Sequence, residues 1–432
     1  MNFLKKIFSP SCLIISIFIL IYTFYKSQIV FDGERSDYYR VYYIISAVLI
    51  IFSILTFFLN QIIKEYLIIT IVSILFSVYC FEAYLPFKSN QKIKNREITY
   101  KEQTGRIFDN RKRSEIYKDL KKTDKDIKVI IYPYDYIKNY NDIYPLSGIS
   151  NSKTISCNEN GYYSIYESDR YGFNNPDSEW DANKKEFLIV GDSFALGDCV
   201  NRPDDIGSVL RHLSNKSVLN LGYAGHNPLL EYATLREYYA SGVNKVLWLY
   251  YEGNDLQGLS HKFENKFFLN YIKDLNFKQD LKARHEEINI LGNNILRQGI
   301  KEKRDVFKLR NFIKLFNTRY LITNKNKKVV LTYSDFEEII KLSKELVSRN
   351  NSKFYFVYLP EFKRYKGNYE NNSYLTVKKI IDKLGIPFID IHAEVFKNES
   401  NPLDLFPFNS DGHYNESGYN KVARAIYRLT QD

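Results

Sequence analysis

The chain has 432 residues, 45% of them hydrophobic and 26% charged, with only 19 Gly and 11 Pro. That composition excludes a collagen-like repeat, a disulfide-stapled miniprotein and a wholly disordered chain, and the length allows two or three domains. Net charge is +11, from 61 Lys and Arg against 50 Asp and Glu, which suits nucleic acid, an anionic membrane or a polyanion, so its distribution has to decide. The 37 Tyr and 30 Phe beside one Met and two Trp read as AT-rich coding and carry no functional weight.

Three apolar runs come first, at about residues 7–25, 41–59 and 66–85, each close to the ~20 residues a helix needs to cross ~30 Å of hydrocarbon. None contains Lys or Arg, and Glu82 stands only near the end of the third. Lys5 and Lys6 precede the first run as in a signal peptide, but no small-residue cleavage site follows it and two further runs do. Residues 1–87 are therefore expected to be a membrane unit of three transmembrane helices, making the protein a multi-pass component of the cell (inner) membrane.

Orientation is a tie on short loops, since Lys5, Lys6 and Lys64 balance Lys26, Arg35 and Arg40. Residues 88–128 hold 14 Lys or Arg against 7 Asp or Glu and read as a basic helical stalk beside the membrane. Of the four cysteines, Cys12 and Cys80 fall inside apolar runs. Cys157 and Cys199 remain as an even pair, which permits one disulfide in an exported domain and two unrelated thiols otherwise.

From residue 129 strand-length apolar runs alternate with helical patterns. The apolar runs are Lys128–Tyr132, Phe187–Val190, Val218–Leu221, Val246–Tyr251, Phe354–Leu359 and Pro387–Ile391. The helical stretches are Leu229–Tyr239, Ser334–Arg349, Val377–Leu384 and Ser417–Leu429. This alternation predicts an α/β domain over 129–432 with a parallel sheet covered on both faces. In such sheets ligands bind beyond the carboxyl ends of the strands. Those ends carry Gly191-Asp192-Ser193, then Gly222-Tyr223-Ala224-Gly225, then Glu252-Gly253-Asn254-Asp255, and Asp411-Gly412-His413 precedes the last helix.

A serine on a strand-to-helix turn is exposed near a helix N-terminus, but it needs a base, usually His, oriented by a carboxylate. Acyl transfer also needs donors for an oxyanion, which glycine N–H groups and an Asn amide can supply. Taken singly these signals are weak; four of them at strand or loop ends form a constellation. Gly191-Asp192-Ser193-Phe194, Gly225, Gly253-Asn254-Asp255 and the Asp411/His413 pair resemble the four blocks of the SGNH (GDSL-type) hydrolases over about residues 160–430, with a large insertion after Asp255.

The resemblance implies a three-layer α/β/α, flavodoxin-like domain. It makes Ser193 the nucleophile, His413 the base and Asp411 the carboxylate that orients it. The oxyanion hole would be Ser193 N–H, Gly225 N–H and the Asn254 side chain. Phe194 stands where Leu is usual. One residue rather than two separates Asp from His, a spacing similar to the branch related to alginate acetylation proteins, with Asp404 as the substitute carboxylate. Ser168–Asn174 resembles a lead-in of membrane-attached members. A Cys157–Cys199 bond would tie that lead-in to the nucleophile's helix, and the family setting favours an extracytoplasmic domain.

The six histidines are scattered, with no HxxxH or CxxC, so no metal is expected, and without a Gly-rich phosphate loop no cofactor either. His226, one residue after Gly225, either lines the pocket or is a surface or supporting residue, the second being favoured. The insertion, about 256–330, holds 17 Lys or Arg and 7 Asp or Glu between Leu256 and Lys328, interleaved with Phe263, Phe267, Phe268, Tyr271 and Phe277. It would lean on anionic lipid, grip an acidic glycan, or form a solvated helical lid, and no nucleic-acid partner is expected.

The expected function is a membrane-anchored serine esterase or O-acyltransferase acting on O-acyl, foremost O-acetyl, groups of an envelope or secreted polysaccharide, with that polysaccharide machinery and the bilayer as partners. The competing expectations are a non-catalytic glycan-binding component of the same fold and a cytoplasm-facing lipid esterase.

Overall fold

The computed structural model describes residues 2–33, 36–136, 143–262, 267–300, 309–325, 333–367, 369, 371 and 373–431. Arg35 and Phe263 lie outside the described residues, as does part of the insertion. The chain divides into two units, one of Met1–Gln91 with Val306–Asn326, the other of Lys92–Asp305 with Lys327–Asp432.

The first unit is built on α1 (Asn2–Phe24), α2 (Ser36–Phe57) and α3 (Gln61–Thr104). Each is long and apolar enough to cross a membrane. Their polarity is inverted relative to a soluble bundle. Ile14, Phe18, Ile51 and Phe76 are exposed, whereas Ser9, Ser16, Ser53 and Thr56 are buried. Ser16 and Ser53 share a hydrogen bond of 3.0 Å, and Ser9 Oγ donates to the Thr56 carbonyl at 3.0 Å. Small hydroxylated residues let α1 and α2 approach closely, and the apolar surround offers their hydroxyls no water.

Glu82, fully buried on α3, has a clear employment. It accepts from the N–H and side chain of Asn317 (2.9 and 2.9 Å) and of Thr318 (2.8 and 2.7 Å). Those residues open the helix Phe316–Lys325, whose first N–H groups have no partner inside the helix, so a carboxylate there satisfies them and matches the helix dipole. Part of the insertion thus belongs to the first unit. α3 also continues past the third apolar run to Thr104, so much of the basic stretch read as a stalk is the same helix.

The second unit carries two sheets. In the smaller, β1 (Ile127–Val129) pairs parallel with β2 (Lys153–Ile155), which pairs antiparallel with β3 (Ile165–Glu167). The larger contains β4 (Lys185–Gly191), β5 (Val218–Asn220), β6 (Val243–Tyr251), β7 (Lys353–Leu359) and β8 (Phe388–Asp390), all parallel in the order β5-β4-β6-β7-β8. This is the three-layer, doubly wound α/β arrangement with flavodoxin-like strand order.

Alternation along the strands assigns the two faces. Leu188, Val190, Trp248 and Phe356 pack with Leu229, Phe336, Ile340 and Ile381 from helices Pro228–Tyr238, Tyr333–Arg349 and Tyr374–Lys383. Phe187, Ile189, Leu247 and Val357 pack on the other side with Leu210, Val422 and Ile426 from helices Ile206–Ser214 and Glu416–Leu429. Side chains two apart share a face and both faces are covered, which is why these strands read as nearly continuous apolar runs. The order reverses around β4, with β5 on one side and β6 on the other, so the crevice of the sheet opens at their carboxyl ends.

The rest of the insertion belongs largely to this second core. Phe268 and Tyr271 are fully buried and Phe267 and Phe277 pack against the same cluster, so these aromatics are core groups rather than an exposed patch for lipid or glycan. Arg236 donates to the carbonyls of Tyr271 (2.6 Å) and Leu275 (2.7 Å), closing that loop onto the helix beneath.

The inverted polarity of the first unit yields a direct expectation. Ser53→Leu should force α1 and α2 apart and lower the melting temperature of the detergent-purified protein, while Ile51→Leu, on the exposed face, should leave it unchanged. Equal melting of the two variants would contradict a seam between these helices.

Candidate active site

β4 ends at Gly191 and the chain turns directly into the short helix Ser193–Leu196. Asp192 caps it, its carboxylate accepting the Phe194 N–H at 2.8 Å, which fixes the turn and leaves Ser193 half-buried at the sheet's rim. Burial pushes the Asp192 carboxyl up to about 6, against the pull of the Phe194 N–H, His413 and the Asn254 side chain.

His413 arrives from the loop before the last helix, and its Nε2 lies 2.8 Å from Ser193 Oγ. Residues 220 positions apart therefore share a hydrogen bond. Phe194 packs its ring 4.7 Å from the imidazole centroid and 4.0 Å from that of Tyr251, bracing the face of the imidazole.

The far side of the imidazole carries the main departure from the sequence reading. His413 Nδ1 lies 3.1 Å from Glu159 Oε2, and the same carboxylate oxygen accepts the His413 main-chain N–H at 2.6 Å. Asp411 does not hold this position. It is exposed, and its main-chain carbonyl accepts from Arg96 at 2.9 Å. Asp404 is exposed too and accepts from Asn401 at 2.8 Å. The reason is steric as well as electrostatic. Gly412 has no side chain, and a Cβ there would overlap the Glu159 carboxylate, which slots against the chain just ahead of His413 and occupies the Nδ1 side.

Burial works against a charge on the His413 ring, but the field and hydrogen bond of Glu159 outweigh it, with Asp198 and Asp192 acting in the same sense. The imidazole is pushed up from 6.5 to about 9. A raised pKa means that the protonated ring is held by its carboxylate and the neutral ring dominates only in alkaline solution.

Cys157 and Cys199 form a disulfide. Cys157 lies two residues past β2 and two before Glu159, and Cys199 follows the helix Ser193–Leu196, so the bridge ties the Glu159 loop to the Ser193 turn. Asn160 Nδ2 donates to the Cys199 carbonyl at 3.0 Å, reinforcing the same junction.

The lead-in segment contributes through Asp169. This fully buried carboxylate accepts from Tyr171 N–H (2.9 Å), Phe173 N–H (3.0 Å), Asn175 Nδ2 (2.8 Å) and Trp180 Nε1 (2.7 Å), while burial raises its carboxyl pKa. Asn174 Nδ2 then donates to the Leu196 carbonyl at 2.9 Å and Asn175 Nδ2 to that of Asn220 at 2.8 Å. The lead-in is a bracket between β5 and the helix Ser193–Leu196.

Gly225 sits in the turn after β5 at φ +85, a left-handed conformation that favours glycine. Asn254 follows β6, and its side chain approaches the Asp192 carboxylate. Both stand at the carboxyl ends of strands flanking β4, at the sheet's switch point. Behind Asn254 the chain is anchored by Glu252, which accepts from Arg364 Nε at 2.9 Å and from the Glu361 N–H at 2.8 Å. His226 is buried rather than at the surface.

Sequence reasoning missed Glu159, which stands in Cys157-Asn158-Glu159-Asn160 with no motif around it. Its one signal is the disulfide: if Cys157 meets Cys199, six residues past Ser193, then Glu159 must lie near the serine too.

No protein-family model matches the chain, and no curated protein matches it. Among solved structures, one described as a G-D-S-L family lipolytic protein from Desulfitobacterium hafniense aligns with a TM-score of 0.33 and 13% identity, covering 57% of this chain and 99% of that one. The chemistry of the site is therefore argued from its own geometry.

Proposed function

We propose that the protein is a membrane-anchored serine esterase or O-acyltransferase in which Ser193 is the nucleophile, His413 the general base and Glu159 the carboxylate that orients it. The observation that carries this reading is the continuous relay Ser193 Oγ–His413 Nε2–His413 Nδ1–Glu159, at 2.8 and 3.1 Å. A binding module has no use for such a relay, because a serine gains nucleophilicity only when a neighbouring base takes its proton.

In the proposed cycle Ser193 Oγ attacks an ester carbonyl while His413 Nε2 accepts the hydroxyl proton. Glu159 stabilises the imidazolium and holds the tautomer with Nε2 free to accept. The Ser193 and Gly225 N–H groups and the Asn254 amide are the assigned donors to the oxyanion, each such donor being worth roughly 3–4 kcal/mol in kcat. The imidazolium then protonates the leaving alkoxide, giving acyl-Ser193. Water deacylates it in hydrolysis, and a sugar hydroxyl does so in transfer, with His413 again taking the proton.

For substrate we assign O-acyl, foremost O-acetyl, groups on an envelope or secreted polysaccharide. Two features support this choice. Three apolar helices would hold the enzyme at a membrane surface, and a disulfide beside the site suits an oxidising, extracytoplasmic compartment better than the cytoplasm.

Full-length protein in detergent should release p-nitrophenol from its acetate ester, and Ser193→Ala should abolish release. Glu159→Gln should lower kcat by about 10³–10⁴-fold, as expected when the base loses its orienting carboxylate, and Asp411→Asn should stay within about twofold of wild type. The reverse ranking of these two would restore Asp411 and remove Glu159 from the relay.

The pH profile supplies an independent check. The base works only when neutral, so kcat/KM should rise with pH along a limb centred at about 9. In Glu159→Gln that limb should move to lower pH, because the charge that favoured the imidazolium is gone. A wild-type limb centred at or below the usual histidine value of about 6.5 would contradict the pairing.

A further inference from the structure

Four ligand-bearing side chains converge on the side of the His413 ring that faces away from Ser193. His413 Nδ1 lies 3.1 Å from Glu159 Oε2 and 3.3 Å from Cys199 Sγ, and with Cys157 Sγ all four atoms lie within 4.8 Å of one another. Both cysteines are buried, while Glu159 and His413 keep 17% and 18% of their side chains exposed, which leaves a way in from solvent.

In the disulfide state the two sulfurs are bonded to each other and offer no thiolate. Reduced, the same four groups form a set of two thiolates, an imidazole and a carboxylate, a combination that suits zinc rather than magnesium or calcium. Tetrahedral zinc with its usual bond lengths needs its ligand atoms about 3.3–3.8 Å apart. The present spacing is within a side-chain adjustment of that, once the sulfurs separate.

We infer that Cys157, Cys199, Glu159 and His413 constitute a redox-gated zinc site, closed by the disulfide and opened by its reduction. A dithiol reductant supplies two electrons and two protons, its own sulfurs closing into a disulfide while the Cys157–Cys199 bond breaks into two thiols. Zinc then binds as both thiols release their protons to solvent, so the bound metal carries two thiolates. The contiguous spacing that marks most zinc sites is absent, because the ligands come from the turn after β2, the end of the nucleophile's helix and the loop before the last helix.

The site has a consequence that rests on the esterase reading. With Nδ1 on the metal and Glu159 recruited as a ligand, the proton of the neutral ring resides on Nε2, so His413 has no lone pair for the Ser193 hydroxyl. Such a device would hold the enzyme off wherever thiols are reduced and release it once the disulfide forms. Metal binding itself does not depend on that reading.

The test uses full-length protein in detergent with Cys12→Ala and Cys80→Ala, which removes the other thiols. After reduction with dithiothreitol and desalting under argon, cobalt(II) serves as a coloured substitute for zinc. The expected result is one cobalt per chain, with a thiolate-to-metal absorption band and tetrahedral visible bands, displaced by zinc. Oxidised protein should show neither. Cys157→Ser with Cys199→Ser should lose the thiolate band, and His413→Ala should lose the tetrahedral signature while keeping both thiols. Ser193→Ala should bind as wild type, so failure of the esterase assignment and failure of the metal site are separately visible. Equal binding by oxidised protein, an unaltered spectrum in His413→Ala, no thiolate band, or loss of near-ultraviolet circular dichroism on reduction would each overturn the inference.

Discussion

The imidazole of His413, held between Ser193 Oγ and the Glu159 carboxylate, is the interaction on which the rest of the second unit converges. Each element near it limits one of its freedoms. The Asp192 cap fixes the serine's turn, Phe194 braces the ring's face, and Glu159 grips both the ring and the main chain of the same residue. Gly412 leaves the space in which that carboxylate sits. A buried ring beside a carboxylate costs desolvation, and the two hydrogen bonds to one oxygen are what offset it.

The disulfide acquires meaning from the same geometry. It joins the loop bearing Glu159 to the segment leaving the helix Ser193–Leu196, so Glu159 and Ser193, two of the three groups of the proposed relay, are linked covalently through a short path. The lead-in bracket around Asp169 does the equivalent on the other flank, through Asn174 and Asn175. The first unit follows a different rule. Among the described residues most of its buried polar groups are hydroxyls, joined by Glu82 and Lys64, and many of its exposed groups are large and apolar, as a bilayer rather than water would require.

Much of this was legible in the chain. The strands of the larger sheet stand where the apolar runs predicted them, within a residue or three at each end, because strands buried on both faces are marked by continuous apolar character. Ser193 and His413 were legible because glycine and polar residues at strand ends break that character sharply. Glu159 was not, since a carboxylate beside an imidazole needs no neighbours in sequence, only a position in space, and the loop between β2 and β3 supplies it. Asp411 follows from its place two residues before His413 in the block that resembles the family, a guide that fails when the loop turns one of the two outward. The aromatics of the insertion misled for a related reason: Phe268 and Tyr271 lie among basic residues in sequence but among apolar ones in the fold.

Activation of Ser193 by His413 is the central claim, and covalent capture by a fluorophosphonate probe tests it most directly. Peptide mass spectrometry of the labelled full-length protein should locate a single adduct on Ser193, and His413→Ala, still folded, should fail to form it. An adduct on another serine, or capture of Ser193 at the same rate without the imidazole, would contradict the account.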